Sequence, residues 1–315
     1  MSNDQNNTVL LCPGQGAQHV GMGKAWNDGH AAAAEVFAEA EKALSFELTQ
    51  LCFDGPEDLL NRTDMAQVAI YTTSIACHKA LVASGVLSEA QLTAGLSLGE
   101  FTALHLAGAF DFLTGLELVR LRGQAMQDAA EMTESSMVAL IGADEAQALV
   151  LCEEALNDPE NKGDEVLVPA NFNCPGQIVI SGSLKACERA EAVADKMEIR
   201  STQLAVAGAF HSPLMQPAAD RLAEALDKVQ WNIPSVPVLS NVTAEPHESD
   251  IASIKARLVD QLTKPVRWSQ SMQNLLADPV GDEMRLVELA PGKVLSGLMR
   301  RIDRKTKVEN HATPG

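Results

Sequence analysis

In the stretch LTAGLSLGEFTAL, residues 92–104, a strand stops and a helix starts around a small hydroxyl set between two glycines. Leu92 to Gly95 is short and mostly apolar, as a buried strand is, whereas from Gly99 the apolar residues recur at helical spacing, so a strand gives way to a helix within a few residues. Ser97 stands at the turn between Gly95 and Gly99, in a G-x-S-x-G pattern. Glycines on both sides remove the Cβ atoms that a sharp strand-to-helix turn would bring into collision. The serine hydroxyl is thereby held out at a helix N-terminus, where free N–H groups and the dipole stabilise a developing oxyanion. That is the chemistry of acyl transfer. A turn serine with no chemical role is the alternative that this local pattern leaves open.

On either side of this stretch β-like runs alternate with longer helical ones, the order of an α/β domain. A strand at 8–12 feeds the glycine-rich turn Pro13-Gly14-Gln15-Gly16, and helices are predicted at 31–44, 56–62, 66–84, 99–107 and 111–130. From residue 136 the order changes. Strand 136–142, helix 144–156, strands 165–172 and 177–181, helix 183–196 and strand 199–205 read as βαββαβ, a ferredoxin-like unit inserted into the larger domain. The predicted division is a large domain from 1–131 and 206–315 with a small one at 132–205. Alternation then resumes with helix 213–228, strand 236–240, helices 250–262 and 267–276, strand 285–289 and helix 292–302. The polar last dozen residues are expected to fray.

Composition narrows the function classes. With 315 residues, 46% of them hydrophobic, the chain can bury a large core and a second small one. A formal net charge of -18 repels nucleic acid and anionic membranes at long range, so neither is an expected partner. Cys12, Cys52, Cys77, Cys152, Cys174 and Cys187 form no CxxC and no Cys/His pairing at metal spacing. Reduced, buried thiols are expected, with no disulfide and no metal site. The opening MSNDQNN has no basic run, and Val9–Cys12 is too short for a signal core or a membrane span, so a cytoplasmic location is the expectation.

A serine hydroxyl is a poor nucleophile until a base takes its proton, which directs attention to the histidines. His19 and His30 sit in polar surroundings, His78 and His105 in helical runs, His247 in a polar loop and His311 in the tail; all read as ordinary surface or core residues. His211 differs. It follows the strand 199–205 and the linker Ala207-Gly208-Ala209-Phe210, and precedes Ser212-Pro213, a helix-opening pair. A loop between strand and helix is where such sheets carry catalytic side chains.

Six segments now stand in order: PGQGAQHVGMGK at 13–24, GLSLGE at 95–100, RLRGQAMQ at 120–127, NFNCPGQIVISG at 171–182, GAFHSPLM at 208–215 and APGKVLSGLMRRI at 290–302. Together, and across nearly the whole chain, they resemble the malonyl-CoA:acyl carrier protein transacylase family. The resemblance implies an α/β-hydrolase-like large domain with a central, mainly parallel sheet and the inserted ferredoxin-like subdomain. It implies ping-pong transfer of malonyl from malonyl-CoA to acyl carrier protein without a cofactor, supplying fatty acid synthesis. Ser97 would be the nucleophile and His211 the base, with the backbone N–H groups of Gln15 and Leu98 as the oxyanion hole. Arg122 would grip the malonyl carboxylate through two parallel hydrogen bonds, which acetyl cannot offer. Its neighbour Arg120 carries no such role. Gln67, Met126 and Asn171 match positions near the acyl pocket, with simple packing or turn chemistry as the open alternative for each, and Phe210 would crowd branched acyl groups. The main-chain carbonyl of Gln261 would orient the histidine in place of a triad acid, its side chain being of no expected consequence.

Two positions depart from the family pattern: Leu96 stands where a histidine is common, and Ala290 where glycine is common. Leucine cannot hydrogen-bond, which removes any polar tuning from that side but leaves the nucleophile untouched. A serine thioesterase or esterase would share G-x-S-x-G but normally carries an HGGG-like turn, which this chain lacks. A trans-acting polyketide acyltransferase remains open, and a monomer is expected. Because chain and carrier are both acidic, the basic run Lys293, Arg300, Arg301, Arg304, Lys305 and Lys307 is either a docking patch or a solvated helix end.

Overall fold

The computed structural model describes residues 7–158, 163–279 and 284–314; the polar opening at 1–6 lies outside them. In chain order the strands are β1 (Thr8–Cys12), β2 (Leu92–Gly95), β3 (Ser135–Ile141), β4 (Leu167–Cys174), β5 (Gln177–Ser183), β6 (Arg200–Gln203), β7 (Arg285–Leu289) and β8 (Val308–His311). The helices are α1 (Lys24–Gly29), α2 (Ala31–Leu44), α3 (Leu48–Asp54), α4 (Glu57–Leu60), α5 (Thr63–Ala83), α6 (Leu98–Leu106), α7 (Phe112–Met132), α8 (Glu145–Leu156), α9 (Leu184–Lys196), α10 (Gln216–Leu226), α11 (Ile251–Thr263), α12 (Trp268–Ala277) and α13 (Val294–Ile302).

A first sheet, in the order β2-β1-β7-β8, is parallel throughout. Its central strand β1 is buried along its whole length, because helices cover both faces. Side chains alternate between those faces: Leu10 and Cys12 join the core beneath α5 and α6, while Val9 and Leu11 join the one beneath α12 and α13. Helix α5 runs through the larger core and is apolar or small nearly all round, as a helix buried on every side must be.

The second sheet has the order β4-β5-β3-β6 and is antiparallel. With α8 and α9 it follows the βαββαβ order expected from the sequence. Alternation again sorts its residues. Val138, Leu140, Ile178 and Ile180 pack with α8 and α9 into a core of their own, whereas Met137, Ala139 and Val179 join the main core. One face of this sheet therefore closes a small core, and the other is laid against the first sheet's layer. The result is the α/β fold that the resemblance implies.

Three expectations about elements are corrected. Helices α1 and α3 were not anticipated, being short and without strong periodicity. Residues 236–240 form no ladder strand, only isolated bridges from Val238 to Thr93 and from Leu239 to Pro246; Pro237, lacking an N–H, sits within the run. The tail does not fray: β8 pairs in parallel with β7. Its polar residues have dedicated partners. Glu309 takes Arg285 at 2.8 Å, and the Asn310 side chain donates to Gly292 O at 2.8 Å and to Glu288 at 3.2 Å.

Candidate active site

The parallel strands β1 and β2 end side by side, Cys12 opposite Gly95, and the chain leaves each through a glycine-rich turn. The close packing there explains the glycines. A Cβ on Gly95 would lie 1.9 Å from the Gly99 carbonyl, and one on Gly99 would lie 2.1 Å from the carbonyl oxygen of Cys12. A Cβ on Gly14 would meet the Leu96 oxygen at 2.2 Å, so the first turn can rest on the second only as glycine. Between them Ser97 is held at φ 52° and ψ -104°, a conformation that the surrounding contacts must impose. Leu98 is the first residue of α6, and its N–H is one of the donors a helix leaves unbonded internally.

His211 arrives from the loop after β6, also with positive φ (58°). Ser212 fixes that loop by donating to Ala209 O at 2.7 Å and accepting from Leu214 N at 3.3 Å. His211 Nδ1 lies 2.6 Å from the main-chain oxygen of Gln261, and Nε2 lies 2.9 Å from Ser97 Oγ. A carbonyl only accepts, so Nδ1 carries the proton and the Nε2 lone pair faces the hydroxyl. Burial first, and then the charge of Arg122, lower the imidazole pKa to about 4 against the opposing pull of the Gln261 carbonyl. At neutral pH the ring is an uncharged base aimed at the serine.

Arg122 comes from the middle of α7 and is 1% exposed. Its Nη1 donates to Gln67 Oε1 at 2.7 Å, and its Nη2 donates to Gln261 Oε1 at 2.8 Å and to Ser97 Oγ at 3.0 Å. Burial lowers its pKa to about 10 while Glu100 raises it, so the guanidinium stays charged. Arg120, two residues away, points outward and pairs with Glu117.

These groups open on a cavity of about 490 Å³. Gln15, Leu98, Met126, Asn171 and Phe210 line it beside Ser97, Arg122 and His211. Met137 and Val179 from the second sheet form part of the wall, and Val294 and Leu298 of α13 another part. Gln67 stands behind Arg122, fully buried, with its Nε2 3.4 Å from Met126 Sδ. Leu96 is also on the wall, in keeping with an apolar residue before the serine.

Three residues that sequence reasoning passed over support this arrangement. Asn241 accepts from Ser97 N at 2.6 Å and donates to Gly95 O at 2.7 Å, bracing the turn from both sides. Glu100, fully buried on α6, accepts from Gln261 Nε2 at 2.5 Å, from His247 Nε2 at 2.6 Å and from Asn241 N at 3.3 Å. His247 thus belongs to the interior, its side chain 2% exposed, and not to a free polar loop. The Gln261 side chain, expected to be of no consequence, joins Arg122 to Glu100. The legible sign of Glu100 was a carboxylate within an otherwise apolar helical run, LGEFTAL.

A neutral imidazole on a strained serine, two candidate N–H donors at the strand ends and a buried cation in one cavity suit transfer of an anionic acyl group through a serine ester. Residues 9–310 match the acyl transferase domain. A curated relative from Bacillus subtilis, described as a malonyl CoA-acyl carrier protein transacylase, is 41% identical, with 95% of this chain and 91% of the relative covered. The crystal structure of the malonyl-CoA:acyl carrier protein transacylase of Xanthomonas oryzae superposes with a TM-score of 0.91 at 41% identity, covering 98% of this chain and 95% of the other. A malonyl-transacylase solved in complex with a type II PKS acyl-carrier protein also gives a TM-score of 0.91, at 35% identity over 98% of this chain and 97% of its own. With a family match over nearly its whole length and such relatives, the chain is an acyltransferase of the malonyl CoA-acyl carrier protein transacylase family.

Proposed function

We propose that this enzyme moves the malonyl group from malonyl-CoA to the phosphopantetheine thiol of acyl carrier protein through a malonyl-serine intermediate. Ser97 Oγ attacks the thioester carbonyl as His211 Nε2 takes its proton, forming a tetrahedral oxyanion against the N–H groups of Gln15 and Leu98. Collapse breaks the C–S bond, and the imidazolium returns the proton to the leaving CoA thiolate. The carrier's thiol then repeats the sequence in reverse, giving its proton to His211 and taking the acyl group from Ser97. Arg122 receives the malonyl carboxylate and so selects against acetyl, because an unanswered buried guanidinium costs several kcal/mol. Met126, Phe210 and Asn171 shape the acyl chamber, and Gln67 steadies Arg122. Residues 132–205 act as a cap on a catalytic body formed by the rest of the chain.

The observation that carries this reading is the approach of both His211 Nε2 (2.9 Å) and Arg122 Nη2 (3.0 Å) to one hydroxyl oxygen. A three-carbon diacid esterified there brings its free carboxylate within the guanidinium's reach. We expect a monomer working in the cytoplasm. Among the described residues no helix is long and apolar enough to cross a membrane. Carrier docking on Arg300 and Arg301 is supported by their place on α13, whose Val294 and Leu298 line the cavity.

The test is incubation with malonyl-CoA followed by mass measurement of the intact protein and its peptides. The expected result is one malonyl group on Ser97, discharged by carrier protein much faster than by water. Rapid discharge by water would make the protein a thioesterase. Carriers from fatty acid and polyketide systems, offered in parallel, separate those two roles.

A further inference from the structure

Among the described residues, Glu100 is a fully buried carboxylate beside the site that the reaction above does not use. Every acceptor touching Arg122 among the described residues is neutral: Gln67 Oε1, Gln261 Oε1 and Ser97 Oγ. Its Nε is buried with no partner among the described residues. A guanidinium 1% exposed with no anion in contact is a costly arrangement, yet the nearest answer to its charge is one amide away. The order is Arg122 Nη2, Gln261 Oε1, Gln261 Nε2, Glu100 Oε2, with steps of 2.8 and 2.5 Å across the hydrogen bonds.

We propose that Glu100 is the resident counter-charge and positioning residue of the acyl-carboxylate clamp, acting on Arg122 through the Gln261 side chain. This rests on the reading of Arg122 as the group that takes the acyl carboxylate. The logic lies in the amide. A carboxylate oxygen only accepts, so Gln261 turns its NH₂ toward Glu100 and its carbonyl toward Arg122; the opposite flip would set NH₂ against guanidinium. Asn241 N and His247 Nε2 hold Glu100 from two other directions, which keeps the carboxylate from swinging to Arg122 itself. A carboxylate in direct contact would occupy the fork and compete with substrate. One amide removed, it offsets part of the burial cost and leaves only neutral acceptors on the guanidinium for the acyl carboxylate to displace. Because the Gln261 main-chain oxygen also accepts from His211 Nδ1, the same residue holds base and clamp at fixed separation.

The test is a pair of variants assayed with malonyl and acetyl thioesters, reading kcat and KM separately for Ser97 loading, with thermal melting as a fold control. Glu100→Gln keeps the shape but removes the counter-charge, while the Gln261 amide stays oriented by the Ser97 carbonyl oxygen, to which its Nε2 donates at 3.0 Å, and by Arg122. It should raise the malonyl KM about 10- to 100-fold and lower the malonyl-to-acetyl ratio of kcat/KM by tenfold or more. Gln261→Met, which leaves the main-chain acceptor for His211 intact, should do the same, and the double variant should be no worse than the more affected single one. If Glu100→Gln does not fold, Gln261→Met alone decides. Equal losses for both thioesters, an unchanged malonyl KM, or additive effects in the double variant would overturn the proposal. Wild-type enzyme that loads no malonyl on Ser97 would instead sink the functional reading beneath it.

Discussion

Two strand-to-helix junctions leave the same parallel sheet, β2 into α6 and β7 into α13, and each leads into a helix of nine residues. A helix N-terminus presents unbonded N–H groups and a partial positive charge, so each of these ends attracts an anion. At α13 the chain supplies its own. The Glu288 carboxylate, fully buried, accepts from Leu295 N at 2.7 Å, from Ser296 N at 2.8 Å, from the Ser296 hydroxyl, and from Asn310 Nδ2 at 3.2 Å. At α6 the first helical residue, Leu98, lines the cavity beside Ser97. The filled end anchors β8 and the tail; the open end faces the place where negative charge appears during acyl transfer. The same backbone feature is thus structural where a carboxylate fills it and chemical where the site leaves it open.

Substitutions at the open end should remove chemistry and leave the fold alone. The largest effect is expected for Ser97→Ala, which should yield no acyl adduct and cut transfer by at least about 1000-fold with little change in melting temperature. Residual malonyl adduct at another residue would break the comparison. Next comes Arg122→Ala. Loss of the clamp should lower kcat/KM for malonyl on the order of 100-fold while acetyl improves relative to it. Equal losses for both acyl groups would refute selection by the guanidinium.

The sequence carried the open end far better than the filled one. Ser97 was legible because the sharp turn shows in its own flanking glycines, Gly95 being required by a 1.9 Å approach to Gly99 within the motif itself. His211 and Arg122 became legible through the segments around them. Glu100, Asn241 and His247 were not, because their meaning lies in contacts across about 140 residues of chain that no local period encodes. The second sheet was readable from its alternation, which sorts one face to α8 and α9 and the other to the main core. The tail was misread for the opposite reason. Its polar residues match the composition of a frayed end, but Glu309 and Asn310 are polar because Arg285, Glu288 and Gly292 need partners. Composition reports solvent affinity, and it cannot distinguish water from a prepared polar partner.

At the filled end the expectation reverses. Glu288→Ala would strand the N–H groups of Leu295 and Ser296 in the interior and should cost about 2–4 kcal/mol of stability, seen as an earlier denaturant midpoint. Transfer by the folded fraction should change little. A large loss of kcat without loss of stability would mean that the two helix ends are not separable as structural and chemical.

The smallest effect, and the sharpest, concerns pH. His211 titrates near 4 in the folded protein against 6.5 when exposed, so between those values the unfolded chain binds the extra proton. Stability contributed by this group is complete above about pH 6.5 and is lost as pH falls toward 4, by at most about 3 kcal/mol. For activity, kcat/KM reports the free enzyme, and the base works only when neutral. The malonyl-loading profile should therefore stay flat from pH 8 to below 6 and fall with a midpoint near 4. Burial is the first cause of that low value and the charge of Arg122 the second, so Arg122→Ala should move the midpoint upward without reaching 6.5. Measuring acetyl loading against pH in that variant isolates the shift from the lost clamp. A midpoint that stays put would mean that burial alone keeps the imidazole neutral, and that the guanidinium serves the acyl group and not the base.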